Sequence, residues 1–168
     1  MKDVSAESMK RWPPKKTWMC LSAILAAVIC LWSVDGKARP RSFVPDPITG
    51  YAIGGHDPVS YFVDGYPRKG SREYTYKWGN TEWVFVNKGN MEAFKLHPNA
   101  YAPMFAACGG YGLSEGFATA GNPFIYAIVE GRLMFFYSVV NRFLFIVNGT
   151  QRLTEARSHA ETVGCLPE

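Results

Sequence analysis

Glu73-Tyr74-Thr75-Tyr76-Lys77-Trp78-Gly79-Asn80-Thr81-Glu82-Trp83-Val84-Phe85-Val86 is the stretch on which the fold turns. Aromatic and β-branched side chains alternate with polar ones on both sides of Gly79-Asn80, a turn dipeptide, and this pattern predicts a β-hairpin. Asn90 then opens a helical stretch through Met91, Ala93, Phe94 and Leu96 that ends near His97-Pro98, because the residue before a proline is pushed out of helical geometry. Fifty residues on, the pattern returns. Phe124–Val129, Glu130-Gly131 and Arg132–Tyr137 read as a second hairpin, and Ser138 caps a helix through Val140, Phe143, Leu144 and Val147. At that spacing Phe85 falls opposite Phe135 and Phe94 opposite Leu144. Two β-β-α units with about four antiparallel strands, closed by a tail helix over roughly Gln151–Val163, predict a small α+β domain. Two copies are too few for a solenoid.

Upstream of the first hairpin, Asp57-Pro58 has the form of an N-cap followed by proline, predicting a short helix over Pro58–Val63 that Gly65 stops. Residues 35–50, with three prolines between Pro40 and Pro47, read as an extended linker. Before it, residues 17–34 form a run of 18 residues without a formal charge. As a helix they would rise roughly 27 Å, close to the roughly 30 Å hydrocarbon core of a bilayer. Lys10, Arg11, Lys15 and Lys16 precede the run, and Trp18 and Trp32 stand near its ends. The positive-inside rule then places residues 1–16 in the cytoplasm as a basic tail, with the rest of the chain outside. A cleaved signal peptide is the competing reading, with small residues at Gly36-Lys37-Ala38. On either reading the globular part is exported.

Charge excludes one class of partner. The 168-residue chain carries a net +4, but residues 1–41 hold eight Lys/Arg against three Asp/Glu, and residues 42–168 hold ten against eleven. A domain that grips phosphates needs its positive charge on the folded surface. Nucleic acid is therefore not the expected partner.

Ala52-Ile53-Gly54-Gly55-His56-Asp57-Pro58-Val59-Ser60-Tyr61-Phe62 resembles the opening of YHS-domain proteins, which typically read Gly-Tyr-Asp-Pro-Val-Ala-Tyr-Phe. Lys69-Gly70-Ser71 before the first hairpin, Tyr101-Ala102-Pro103 after the first helix and Ala120-Gly121-Asn122-Pro123 before the second hairpin extend the resemblance over about residues 51–147. It looks like the exported, membrane-associated bacterial branch. The resemblance implies a small α+β domain over residues 51–163 related to treble-clef-like metal-binding modules and, for many members, no established reaction. This chain departs at His56, where the family usually has Tyr, and at Gly109, where many relatives carry a cysteine.

Candidate chemistry gathers around Cys108, in Met104-Phe105-Ala106-Ala107-Cys108-Gly109-Gly110-Tyr111-Gly112. A thiolate and a thioether are soft ligands, so Cys108 with Met104, helped by His56, selects Cu(I) over hard cations. The same thiol also reads as a redox group or as a small buried residue in a tight turn. Cys165, in the tail of residues 164–168, is the only other exported cysteine. A disulfide between the two and a mobile terminal thiol both remain open. No Cys-x-x-Cys and no closely spaced His pair gives a zinc signature. His56 beside Asp57 also reads as part of a helix cap, His97 as a helix-end histidine, and His159 as a solvated side chain. Gly112-Leu113-Ser114-Glu115-Gly116 meets the spacing of a nucleophile elbow but follows a loop rather than a strand. The strand aromatics read mainly as core, with an exposed aromatic face as the alternative. Asn148-Gly149-Thr150 matches a glycosylation acceptor, without consequence in a bacterial source. The sequence thus points to a binding module rather than an enzyme. It sits in the inner membrane through residues 17–34, with its domain in the periplasm and a copper ion as candidate cofactor. The alternatives are an envelope protein-interaction module with Cys108 structural, or a thiol redox protein.

Overall fold

β1 (Ser71–Trp78) and β2 (Thr81–Phe85) pair antiparallel, with Tyr76 opposite Trp83 and Trp78 opposite Thr81. Gly79 and Asn80 both take φ near +60°, the type I′ turn whose twist matches that of the strands. The structure is a computed structural model that describes Phe43 and residues 45–165. The second hairpin, β3 (Asn122–Val129) with β4 (Arg132–Phe136), repeats the first down to its irregularity. Its turn residues Glu130 and Gly131 also have positive φ. The register breaks between Asn122 and Tyr126 as it does between Ser71 and Thr75.

The helices are α1 (Ser60–Val63), α2 (Lys88–Leu96), α3 (Pro98–Tyr101), α4 (Gly110–Ser114), α5 (Val139–Val147) and α6 (Gly149–Ala160). The Asn87 side chain caps α2 by accepting from the Asn90 amide, and the Ser138 hydroxyl caps α5 by accepting from the Asn141 amide. The architecture is mixed α+β, with two β-β-α units and a C-terminal helix. The four strands form two separate two-stranded sheets rather than one.

Equivalent strands and helices lie 51 residues apart. Phe85 therefore corresponds to Phe136, and Phe94 to Phe145, and all four are fully buried. The expected pairing at 50 residues is off by one, and Leu144 is 39% exposed. Helix starts also shift slightly. α2 begins two residues before Asn90, whose own side-chain amide donates to Asp57. α1 begins at Ser60 rather than Pro58, with Pro58 and Val59 in a turn before it. Buried Asp57 accepts from the Val59 amide, as a residue capping that turn does, and also from the Val86 amide and Asn90 Nδ2, tying α1, the end of β2 and α2 together.

The core has two parts that meet at β4. Leu133 and Phe135 point into a cluster with Trp83, Phe85 and Phe94, while Met134 and Phe136 point into one with Phe105, Leu113, Phe145 and Leu153. A strand buried on both faces loses the polar alternation of a half-exposed one. Phe43, within the segment read as linker, packs against Trp78 and Trp83, and its carbonyl accepts from Thr81 Oγ1. The expected transmembrane helix over residues 17–34 and the basic tail before it lie outside the described residues. Among the described residues no helix is long and apolar enough to cross a membrane.

Candidate functional site

Two left-handed turns face a common cleft. In Ala52–Gly55, φ is +45° at Ile53, +65° at Gly54 and +74° at Gly55. In Met104–Ala107, φ is +55° at Phe105, +52° at Ala106 and +72° at Ala107. Side chains other than glycine pay about 1–2 kcal/mol each in this region, so Ile53 and three consecutive residues of the second turn are held there by their surroundings.

Each turn ends on a residue in extended conformation whose amide donates back into it, His56 to the Ile53 carbonyl and Cys108 to the Phe105 carbonyl. Each of these residues also makes one antiparallel bridge, His56 with Lys69 and Cys108 with Ala120. His56 and Cys108 are thus equivalent residues of the two repeats. Both line one cavity of ≈ 660 Å³. Its walls are mostly apolar, including Ile53, Ala106, Pro123, Phe124 and Phe135, with Asp46, Thr49, His56 and Thr119 as its polar members. That size and composition suit a small organic molecule held by few polar contacts.

The His56 ring stands edge-on to Phe124, with centroids 4.9 Å apart, and its Nδ1 lies 3.0 Å from the Ile53 carbonyl oxygen. A carbonyl only accepts, so Nδ1 carries the hydrogen and Nε2 keeps its lone pair. Burial pushes the His56 pKa below its ordinary value, against the effect of the Ile53 hydrogen bond. Asp46 accepts from the Ile48 and Thr49 amides and the Thr49 hydroxyl. The Thr49 bonds hold its carboxyl below the usual range. Thr119 Oγ1 is buried without a hydrogen-bond partner.

Cys108 is bonded to Cys165, with Cα atoms 6.1 Å apart and Cys165 buried in the second cluster. The paired form has no thiolate to offer a metal or to attack a substrate. Met104 is buried in the same cluster and does not line the cavity. Of the three residues nominated for copper, His56 and Cys108 therefore share a cleft and Met104 does not. Among the described residues no group of three or more His, Cys, Asp or Glu side chains is placed to hold a metal.

The remaining candidates have structural surroundings. Ser114 ends α4, donates its hydroxyl to the Tyr111 carbonyl and accepts from Arg152, so no base holds its proton. His159 is not solvated as expected, since its Nδ1 lies 3.0 Å from the Leu113 carbonyl where α6 crosses α4. His97 joins α2 to α3 and is exposed. Unusual φ angles in the Cys108 segment fall on Phe105, Ala106 and Ala107 rather than on its glycines. Gly109 and Gly112 instead admit the Thr119 side chain at distances a Cβ would forbid.

Sequence reasoning missed the cleft because it stopped the repeat at the hairpins. Continued upstream, at 52 residues, the match lays Ile53-Gly54-Gly55-His56 on Phe105-Ala106-Ala107-Cys108, which share no identical residue, so only the common backbone geometry reveals it. No family model, curated protein or solved structure matches the chain.

Proposed function

We propose that this chain is a YHS-like, membrane-anchored binding module of the bacterial cell envelope. Its cleft takes a small, mostly apolar molecule bearing one hydrogen-bond donor for His56 Nε2. The cavity between two equivalent strained turns carries the reading, since strain of this kind persists where a site must be pre-shaped. Two further observations support it. A disulfide with one cysteine buried is expected of an oxidising compartment, in keeping with residues 17–34 as an anchor and residues 42–168 outside. The hydroxyl of Ser114 is engaged at both lone pair and proton, which favours binding over hydrolysis.

The test is a fluorine-NMR screen of small aryl and alkyl alcohols and amines against the full chain in lipid nanodiscs. Exposed Ala118 lines the cleft, so Ala118→Trp fills it without disturbing the core. Ligands should lose binding in Ala118→Trp and weaken about tenfold in His56→Phe, the worth of one hydrogen bond. Ligands indifferent to both substitutions would place binding elsewhere and end the proposal.

Copper at Cys108, Met104 and His56 belongs to the reduced chain, since it requires an open disulfide and withdrawal of Met104 from the core. Cu(I) titration with and without reductant, beside Cys108→Ser, tests that form. Binding that appears only on reduction and vanishes in the variant supports it, and binding unchanged in the variant removes it.

A further inference from the structure

The two repeats provide an internal comparison that singles out α5. At the 51-residue spacing, its Val139, Val140, Phe143, Leu144, Ile146 and Val147 stand where α2 has Lys88, Gly89, Glu92, Ala93, Lys95 and Leu96. In both helices one phenylalanine faces inward, Phe94 in α2 and Phe145 in α5, each fully buried. α2 turns Lys88, Glu92 and half-buried Lys95 outward, with Leu96 at its end, 74% exposed, as its one large exposed hydrophobic residue. In α5 the outward residues are apolar, with Phe143 65% and Val140 64% exposed. At about 100° per residue they cover roughly 160° of arc, centred opposite Phe145. Tyr137, just before the helix, is also exposed. A soluble domain rarely leaves so continuous an apolar face to water.

Charge and chain length point to what covers it. From Gly131 to Thr154 the chain has no Asp or Glu, and while Arg152 is ion-paired with Glu115, α5 carries Arg142. Arg142, on α5 itself, donates to the neutral Tyr126 carbonyl and so keeps its full charge for a partner. An apolar helical face edged by arginine and tyrosine is the composition of a helix lying in a membrane interface with anionic lipid. Eight residues separate Val34 from Phe43, and they span at most about 30 Å. An anchor at residues 17–34 therefore keeps the domain within reach of the bilayer surface.

We propose that the outward face of α5 lies in the headgroup region of the bilayer in which residues 17–34 anchor the chain. The proposal rests on the membrane-anchored reading above for the presence of that bilayer. The domain is then held at two points, by its anchor and by α5.

The full chain is reconstituted in vesicles of phosphatidylethanolamine and phosphatidylglycerol doped with a diazirine phospholipid, irradiated, and digested with trypsin. Label is expected in peptides Thr17–Lys37 and Phe143–Arg152, with only background in Gly89–Lys95 from α2. Phe143→Glu with Ile146→Lys, which installs the residues of the first repeat, should abolish label in 143–152. Label in 17–37 and the unfolding midpoint should stay unchanged. Label in 17–37 without label in 143–152 overturns the proposal and leaves the anchor standing, with a second copy or an envelope protein as the cover of α5. Label in 143–152 alone removes the anchor and keeps the face in lipid, and absence of both removes both.

Discussion

Gly121 shows how tightly single positions are specified. A Cβ there would lie 2.3 Å from the Ala107 carbonyl oxygen and 2.6 Å from Phe135 Cβ, and its counterpart Gly70 meets the Val84 backbone at 2.6–2.7 Å. Both glycines serve close approach, where the start of each hairpin crosses the end of a left-handed turn and their amides donate to Ala107 and Gly55. Neither neighbour can yield, because one is backbone and the other is core. Gly121→Ala should therefore cost about 1–3 kcal/mol in chemical denaturation, the usual result of overpacking. A variant as stable as the parent would refute the crossing. His56 gives a pH test. Its folded pKa is lowered, so folding favours the neutral ring. The stability this gives is fully present above the ordinary value of 6.5 and is lost as pH falls through the lowered folded value. The stability difference between the parent and His56→Gln should shrink as the medium is acidified below about 6.5. A difference constant with pH would show that folding leaves the pKa of the ring at its ordinary value.

At the scale of elements, the hairpins were legible and the register of α5 was not. Period-two alternation and the dipeptides Gly79-Asn80 and Glu130-Gly131 are local signals, and they place strands and turns without help from the rest of the chain. Helix register needs a contrast between faces. α2 has it, with Phe94 among Glu92, Lys95 and Lys88. In α5 nearly every position is apolar, so Val140, Phe143, Leu144 and Val147 looked like an inward stripe, when the buried residue is Phe145 alone. The error of one residue in the repeat has the same origin. The two substitutions that separate these registers are Phe145→Ala and Phe143→Ala. The first should cost about 3–5 kcal/mol, as truncations of a buried aromatic do. The second should change stability by no more than about 0.5 kcal/mol, as surface changes do. Equal losses in urea denaturation would restore the other register. The candidate site was half legible for a different reason. His56 and Cys108 stood out as chemistry-bearing residues, but the cleft depends on left-handed geometry at Ile53, Phe105, Ala106 and Ala107. Tertiary packing imposes that geometry on residue types that disfavour it.

For the whole molecule, the question is what holds two similar halves as one body. β4 contributes to both cores, Tyr61 donates from the first half to the Pro123 carbonyl of the second, and Tyr126 donates back to Gly65. These contacts leave the C-terminal segment dependent on the second half alone, through Leu153, Ala156 and Ala160 against α4 and α5. The Cys108–Cys165 bond closes that segment onto the second turn across a sequence separation of 57. A loop of this length removes about 4 kcal/mol of chain entropy from the unfolded state. Cys165→Ser should lower stability by up to that amount, on the order of 10 °C in Tm for a domain of this size. Because the bond acts as a unit, Cys108→Ser and the double substitution should each lose what Cys165→Ser loses, and reductant should bring the parent to the same midpoint. The loss should also be directional. Hydrogen exchange in α6 should rise towards that of a locally opened segment, while α2, held by Asp57 and its own capped start, keeps its protection. Single substitutions with unequal, additive costs would mean that the two cysteines contribute as separately packed side chains. The second turn would then owe its strained geometry to the core around Phe105 rather than to the covalent tie beside it.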